Sequence, residues 1–234
     1  MKYGSAFAIL AMLTAIYAVR EGGWYFVLLW PALSFALVSI AYFGAGVFIF
    51  GKQPSGTLSI GRSLLLAPFL VYLNFVWHAV RFFSRETAFN QLTDNVFIGR
   101  RLLSHERASN FDHIVDLTCE FNEPRALRKS GYISLPTLDG HYADKETLLQ
   151  SVARIAELNG TVYIHCAQGH GRTATLAIAY LIQQRISETI DDAVNYVLER
   201  RPNAHLGRTQ RTMLEAIYGA GNQAVHRSGE VGRF

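Results

Sequence analysis

Residues His165-Cys166-Ala167-Gln168-Gly169-His170-Gly171-Arg172-Thr173 join an apolar strand-like run, Thr161–His165 (TVYIH), to a helical stretch from about Thr173 to Arg185. Five residues separate Cys166 from Arg172. A loop of that length can curl so that successive backbone N–H groups face inward, with Gly169 and Gly171 permitting the tight turns. It ends at a helix N-terminus, whose partial positive charge adds to the anion site. A phosphate fits such a cradle. Arg172 can grip two of its oxygens with a planar fork that Lys lacks. The same N–H groups and guanidinium favour the thiolate of Cys166. A thiolate beside a bound phosphate implies attack on phosphorus and a phosphocysteine intermediate. Ala167, Gln168, Gly169, His170, Gly171 and Arg172 are therefore the expected substrate-binding residues. Thr173 is placed to give its hydroxyl to the departing thiolate, and His165 to fix the loop through backbone hydrogen bonds.

Outward from the loop, periodicity predicts alternating strands and helices. Short strands are expected at Val96–Ile98, His113–Leu117, Tyr132–Leu135 and Thr161–His165. Helices are expected at Leu102–Asn110, Asp144–Asn159, 173–185, a segment opened by Ser187 with Glu188 or Asp191 and stopped by Pro202, and Leu206–Tyr218. This order predicts an α/β fold, a central mostly parallel sheet flanked by helices. The tail from Gly219 is polar, and residues 221–234 are expected to be mobile.

The run His165-Cys166-x-x-Gly169-x-x-Arg172-Thr173 resembles the signature of protein tyrosine and dual-specificity phosphatases. The resemblance covers about Phe89 to Tyr218, and Asn95-Val96-Phe97-Ile98-Gly99 resembles the opening strand of that family. It implies a dual-specificity phosphatase-like domain, a phosphoric monoester hydrolase, over residues 85–220. A leaving alkoxide needs a general acid. The family places an Asp on the loop before the long helix, which here is Leu135-Pro136-Thr137-Leu138-Asp139-Gly140. Asp139 is the candidate, and the same carboxylate can later activate water. Asp144 is the second choice, since it reads better as the N-cap of Asp144-x-x-Thr147. The Trp-Pro-Asp form of the loop is missing, which favours the dual-specificity-like or lipid-directed branch. Gln210 stands where the family often has a glutamine that positions water. Arg125 is a weaker candidate for substrate anions. Cys119, after the HIVDL strand, is a candidate partner for oxidised Cys166. The eight histidines show no metal-ligand spacing, so neither metal nor cofactor is expected.

The rest of the chain has a different character. The 234 residues are 50% hydrophobic and only 17% charged, which excludes a disordered protein. Two cysteines exclude a disulfide scaffold and a four-cysteine zinc site. Residues 1–80 hold only five charged side chains: Lys2, Arg20, Glu21, Lys52 and Arg62. Of the net charge of +4, they carry +3, and the remainder of the chain carries +1. That division removes nucleic acid as an expected partner. Residues 1–84 read as a membrane anchor, with spanning helices at about 3–19 and 24–48. Trp24, Tyr25, Tyr42 and Phe43 fall where aromatic belts sit, and Pro31 is tolerated. A third apolar segment, about 63–82, carries Asn74, His78, Arg81 and Arg85 on one helical face and suits the interface. With two spans, Lys2, Lys52, Arg62, Arg81 and Arg85 share one side, and Arg20 lies on the other. With three spans the same six divide three and three, so the positive-inside rule favours two spans over three, with both termini and the catalytic part in the cytoplasm.

The expected substrate is a phosphorylated lipid or protein at a membrane. Anchoring, and the likeness of the apolar segments to membrane-anchored bacterial members of the family, favour lipid. Ala167, Gln168 and His170 stand where lipid-directed relatives often carry Lys or Arg, which keeps a phosphoprotein or a lipid monoester in play. The alternative is a membrane-tethered, phosphate-binding pseudophosphatase.

Overall fold

Strand β5 (Val162–Cys166) is buried at every residue. Its side chains alternate between two apolar layers, as a two-residue period demands. Val162, Ile164 and Cys166 enter the main core with Leu176, Ile178, Leu148 and Val152, while Tyr163 joins Leu102, Ile114 and Leu127. The computed structural model describes residues 2–106, 111–128, 131–141 and 144–228. These divide into two compact units, one of residues up to Glu86 with Cys119–Glu123, the other of Thr87–Thr118 and Pro124 onward.

In the larger unit a five-stranded sheet has the order β1-β2-β5-β3-β4. Strands β2 (Val96–Arg100), β3 (His113–Thr118), β4 (Tyr132–Thr137) and β5 are parallel. The α/β class read from the sequence is the one observed. Strand β1 (Phe89–Gln91) was not expected. It pairs antiparallel with β2 at the edge, and at three residues it is too short for a periodic signal. Helices α5 (Lys145–Ala156), α6 (Gly171–Gln183), α7 (Ile190–Arg200) and α8 (Arg208–Ser228) complete the unit. Leu148, Ile164 and Leu176 are fully buried, each worth about 1.5–3 kcal/mol of transfer free energy.

Three local expectations are corrected. No helix forms over Leu102–Glu106, the described part of the segment expected to be helical. A turn stands there, closed by the Glu106 N–H on the Leu103 carbonyl and held by the Glu106 carboxylate against Arg100 and the Leu103 N–H. Helix α7 opens at Thr189, not Ser187. The Thr189 hydroxyl accepts from the Asp192 N–H, and the Asp192 carboxylate accepts from Thr189 in return. Helix α8 continues to Ser228, where a polar tail had been expected from Gly219.

In the smaller unit, α1 (Lys2–Glu21) packs on α2 (Leu29–Ile40) through small residues. Gly4, Ala11 and Ala18 recur every seventh residue and are buried. The Ser39 hydroxyl donates to the Gly4 carbonyl at 2.8 Å. Ile9, Met12, Leu13, Ile16 and Val19 face outward, exposed. By length and composition, Lys2–Glu21 and Gly23–Phe50 are both apolar enough to cross a membrane. The second is not the regular helix expected over 24–48. A 3-10 segment (Gly23–Leu28) precedes α2, and a π turn (Ala41–Ala45) and a second 3-10 segment (Gly46–Phe50) follow, broken at Gly44 and Gly46. The segment expected over 63–82 is split into α3 (Ile60–Leu65) and α4 (Ala67–Phe83). Pro68 sits in the first turn of α4, where a missing N–H costs nothing. The Cys119–Glu123 stretch of this unit is tied by backbone. Lys52 donates to the Phe121 carbonyl, Leu58 N–H to Asn122 Oδ1 at 2.6 Å, and Glu123 N–H to the Gly56 carbonyl at 2.8 Å.

Candidate active site

Cys166 ends the central strand, and α6 begins five residues later at Gly171. The loop between them is described best by its carbonyls. Ala167 O accepts from the Arg101 N–H at 3.2 Å. Gln168 O and Gly169 O accept from Arg201, at 2.8 Å from Nη2 and 2.8 Å from Nε. His170 O accepts from the Ala174 N–H as the first helical bond, and Gly171 O from the Thr175 hydroxyl. In a trans peptide the C=O of one residue and the N–H of the next point oppositely. No described peptide is cis. Carbonyls anchored outward therefore turn the N–H groups of Gln168, Gly169 and His170 inward. One is seen there: Gly169 N–H donates to Cys166 Sγ at 3.3 Å. Gly169 adopts φ of 73°, and a Cβ on it would stand 2.3 Å from the Gly99 carbonyl carbon. Glycine is required by both conformation and space.

Arg172 is buried, 1% exposed. Its Nη1 donates to the Thr137 carbonyl at 2.9 Å and to the Leu117 carbonyl at 3.4 Å, at the C-terminal ends of β4 and β3. Its Nε lies 3.4 Å from Asp139 Oδ1. Asp139 is 56% exposed at the side chain, so it is open to an incoming molecule while held by the loop arginine. The structure thus sets Asp139 against Arg172, the residue that follows the Cys166 loop in the first turn of α6. Asp144 caps α5 instead, accepting from the Thr147 N–H at 2.7 Å. Those bonds hold its carboxyl below the usual carboxylate range.

The supporting residues follow. Thr173 is buried, and its hydroxyl has no hydrogen-bond partner among the described residues. His165 is fully buried. Its Nδ1 lies 3.4 Å from the Cys166 carbonyl, and its Nε2 lies 4.0 Å from Asp116 Oδ1. Gln210 is buried, not a surface residue of α8. Its Oε1 accepts from the Gly207 N–H, and its amide lies 3.5 Å from where a Gly171 Cβ would be. His170 is half-buried beside His205, with ring centroids 6.0 Å apart. Arg125 is exposed on a single 3-10 turn (Arg125–Leu127), with no ion pair to the site among the described residues. Neither cysteine forms a disulfide, and Cys119 Sγ donates to Glu120 at 3.3 Å.

Sequence reasoning missed two residues. Asp116 is a fully buried carboxylate accepting from the Thr118 N–H and hydroxyl and from the Tyr132 hydroxyl at 2.7 Å. An acid inside the apolar HIVDL run was the available signal. Arg201 is 2% exposed, and nothing in the pair Arg200-Arg201 says which one turns inward.

Comparison with known proteins gives the same picture. Residues 100–217 match the family model of the dual specificity phosphatase catalytic domain. Dual specificity protein phosphatase 14 of Homo sapiens is 32% identical over 125 residues, covering 48% of this chain. This chain spans 60% of that relative's length. The phosphatidylglycerophosphate phosphatase PTPMT1 of Arabidopsis thaliana is 35% identical over 94 residues, which are 37% of this chain and 28% of that protein. The crystal structure of Tk-PTP in the active form superposes with a TM-score of 0.52 at 25% identity, over 56% of this chain and 97% of that one. With more than half of its length matched by the family model, and the loop, arginine and acid on a matching fold, the chain belongs to the dual specificity phosphatase catalytic-domain family.

Proposed function

We propose that this protein is a membrane-anchored phosphatase that hydrolyses phosphomonoesters through a phosphocysteine intermediate. The observation that carries the reading is the loop that runs from Cys166 to Arg172. An inward N–H touches the Cys166 sulfur, and buried Arg172 joins the loop to Asp139. In the first step the Cys166 thiolate attacks phosphorus and the bond to the leaving oxygen breaks. Asp139 gives that oxygen its proton. In the second step Asp139 takes a proton from water, the water oxygen attacks phosphorus, and the S–P bond breaks. The Thr173 hydroxyl donates to the departing thiolate. Loop N–H groups and Arg172 stabilise the equatorial oxygens through both steps. Gln210, beside Gly171, is the group to orient the water.

The outward apolar side chains of α1 and the two long apolar segments support anchoring through residues 1–84, and the distribution of Lys and Arg favours the cytoplasmic side for residues 85–220. Anchoring keeps the site at the membrane and raises the local concentration of membrane substrates. Together with the similarity to an enzyme named for phosphatidylglycerophosphate, this favours a lipid phosphomonoester over a phosphoprotein.

The test is hydrolysis of an aryl phosphate by the full chain in detergent, with EDTA present. Cys166→Ser is expected to lose turnover and keep phosphate binding; unchanged turnover in that variant refutes the mechanism. A phosphate-release panel of phospholipids in micelles against phosphopeptides then assigns the substrate.

A further inference from the structure

We propose that Arg201 is a positioning residue for phosphate binding: its guanidinium turns two peptide planes of the loop so that the Gly169 and His170 N–H groups face the anion. The inference rests on the phosphate-site reading above and names a residue outside the loop on which that site depends.

The argument is an accounting of donors and acceptors. The Gln168 and Gly169 carbonyls carry the middle of the loop, where no helical or sheet ladder reaches them. Arg201 supplies a partner to each, at 2.8 Å. Without it, the two loop carbonyls lose the donors that hold their peptide planes. A flip of either peptide would replace an inward N–H with an inward C=O and so put negative charge where phosphate must sit. The guanidinium is itself fixed. Its Nη1 donates to Asn90 Oδ1 at 2.9 Å and to the Thr87 carbonyl at 3.4 Å. Arg201 therefore ties the loop to the first strand of the sheet. It lies just beyond the end of α7, remote in sequence from the signature. Lys could serve one carbonyl, whereas the planar fork of Arg serves two and reaches Asn90 as well.

The experiment compares the full chain with Arg201→Met, Arg201→Lys and Asn90→Ala, with Arg200→Met as a charge control. The Arg200 guanidinium stacks on the Tyr196 ring and bonds the Tyr196 carbonyl, away from the loop. Three quantities are read well below each variant's melting temperature: kcat on an aryl phosphate, KM on the same substrate, and competitive inhibition by inorganic phosphate. Arg201→Met is expected to lower kcat by about 10²-fold, the scale of losing one preorganised oxyanion donor. It is also expected to weaken phosphate inhibition by about tenfold, the scale of one lost hydrogen bond, and to raise KM. Arg201→Lys recovers part of each, Asn90→Ala shifts each in the same direction by less, and Arg200→Met matches the parent. A folded Arg201→Met with unchanged phosphate inhibition and unchanged KM overturns the proposal. The underlying phosphatase reading fails by a different result, retention of turnover in Cys166→Ser.

Discussion

Nε of buried Arg172 stands 3.4 Å from Oδ1 of half-exposed Asp139, so one guanidinium links the loop around Cys166 to the acid beyond β4. The same guanidinium holds the β4 end through the Thr137 carbonyl, two residues before Asp139. The acid's position is therefore set by the residue expected to grip the phosphate. Replacing Asp139 by Ala should reveal its role through the leaving group. We expect a loss of about 10²–10⁴-fold in kcat on alkyl phosphates, the usual range for a positioned acid. The loss should be much smaller on p-nitrophenyl phosphate, whose leaving group needs no proton. Equal losses on the two substrates would move the acid role to another residue.

Gly169→Ala tests the loop backbone. The new Cβ would meet Gly99 backbone at 2.3 Å at a φ of 73°. Backbone yields poorly, so a loss of about 1–3 kcal/mol is expected in urea unfolding, with turnover falling as the loop shifts. Gly171→Ala is the contrast. Its Cβ would lie 3.5 Å from the Gln210 amide, an ordinary contact, and its midpoint should stay closer to the parent's.

Tyr132→Phe removes one donor from the buried Asp116 carboxylate. A hydrogen bond to a charged group is worth about 1.5–3 kcal/mol, and that loss is expected in the unfolding free energy. A midpoint equal to the parent's would mean that Asp116 is satisfied without the phenol.

Acid sensitivity follows from two surface carboxylates. Hydrogen bonds from Thr147 hold Asp144, and those from Thr161 hold Asp112, below the usual carboxylate range. A lowered folded pKa contributes stability that is fully present above the ordinary carboxylate value. It is lost as pH falls through the lowered one. Asp144→Ala should therefore melt below the parent at pH 7. The two curves should converge as pH drops past the folded value; a gap unchanged across that range would contradict the assignment.

Much of this was legible in the sequence, for identifiable reasons. The β5–loop–α6 junction reads directly because glycines, a strand run and a helix fall in one contiguous segment. Asp139 was reached by analogy of loop position, and the structure sets it against Arg172. Arg201 was not legible, because it is defined by loop carbonyls distant in sequence, and Asp116 stood out only as an acid in an apolar run, its partner Tyr132 being unreadable from the sequence. The Leu102–Glu106 turn was misread because Glu106 spends its carboxylate on Arg100 and on the Leu103 N–H, a local closure that periodicity does not reveal. Strand β1 was too short to register, and the glycines at 44 and 46 break a segment whose composition alone reads as one helix.

The outward anchoring of the loop carbonyls has a consequence for engineering. The anion is to be held by main chain, and the main chain is held by Arg101, Arg201 and the first turn of α6. The side chains of Ala167, Gln168 and His170 are half-buried. These three positions form a compact library site. Randomising them should alter which substrates are preferred, by adding or removing charge at the rim, while the backbone scaffold beneath keeps its form.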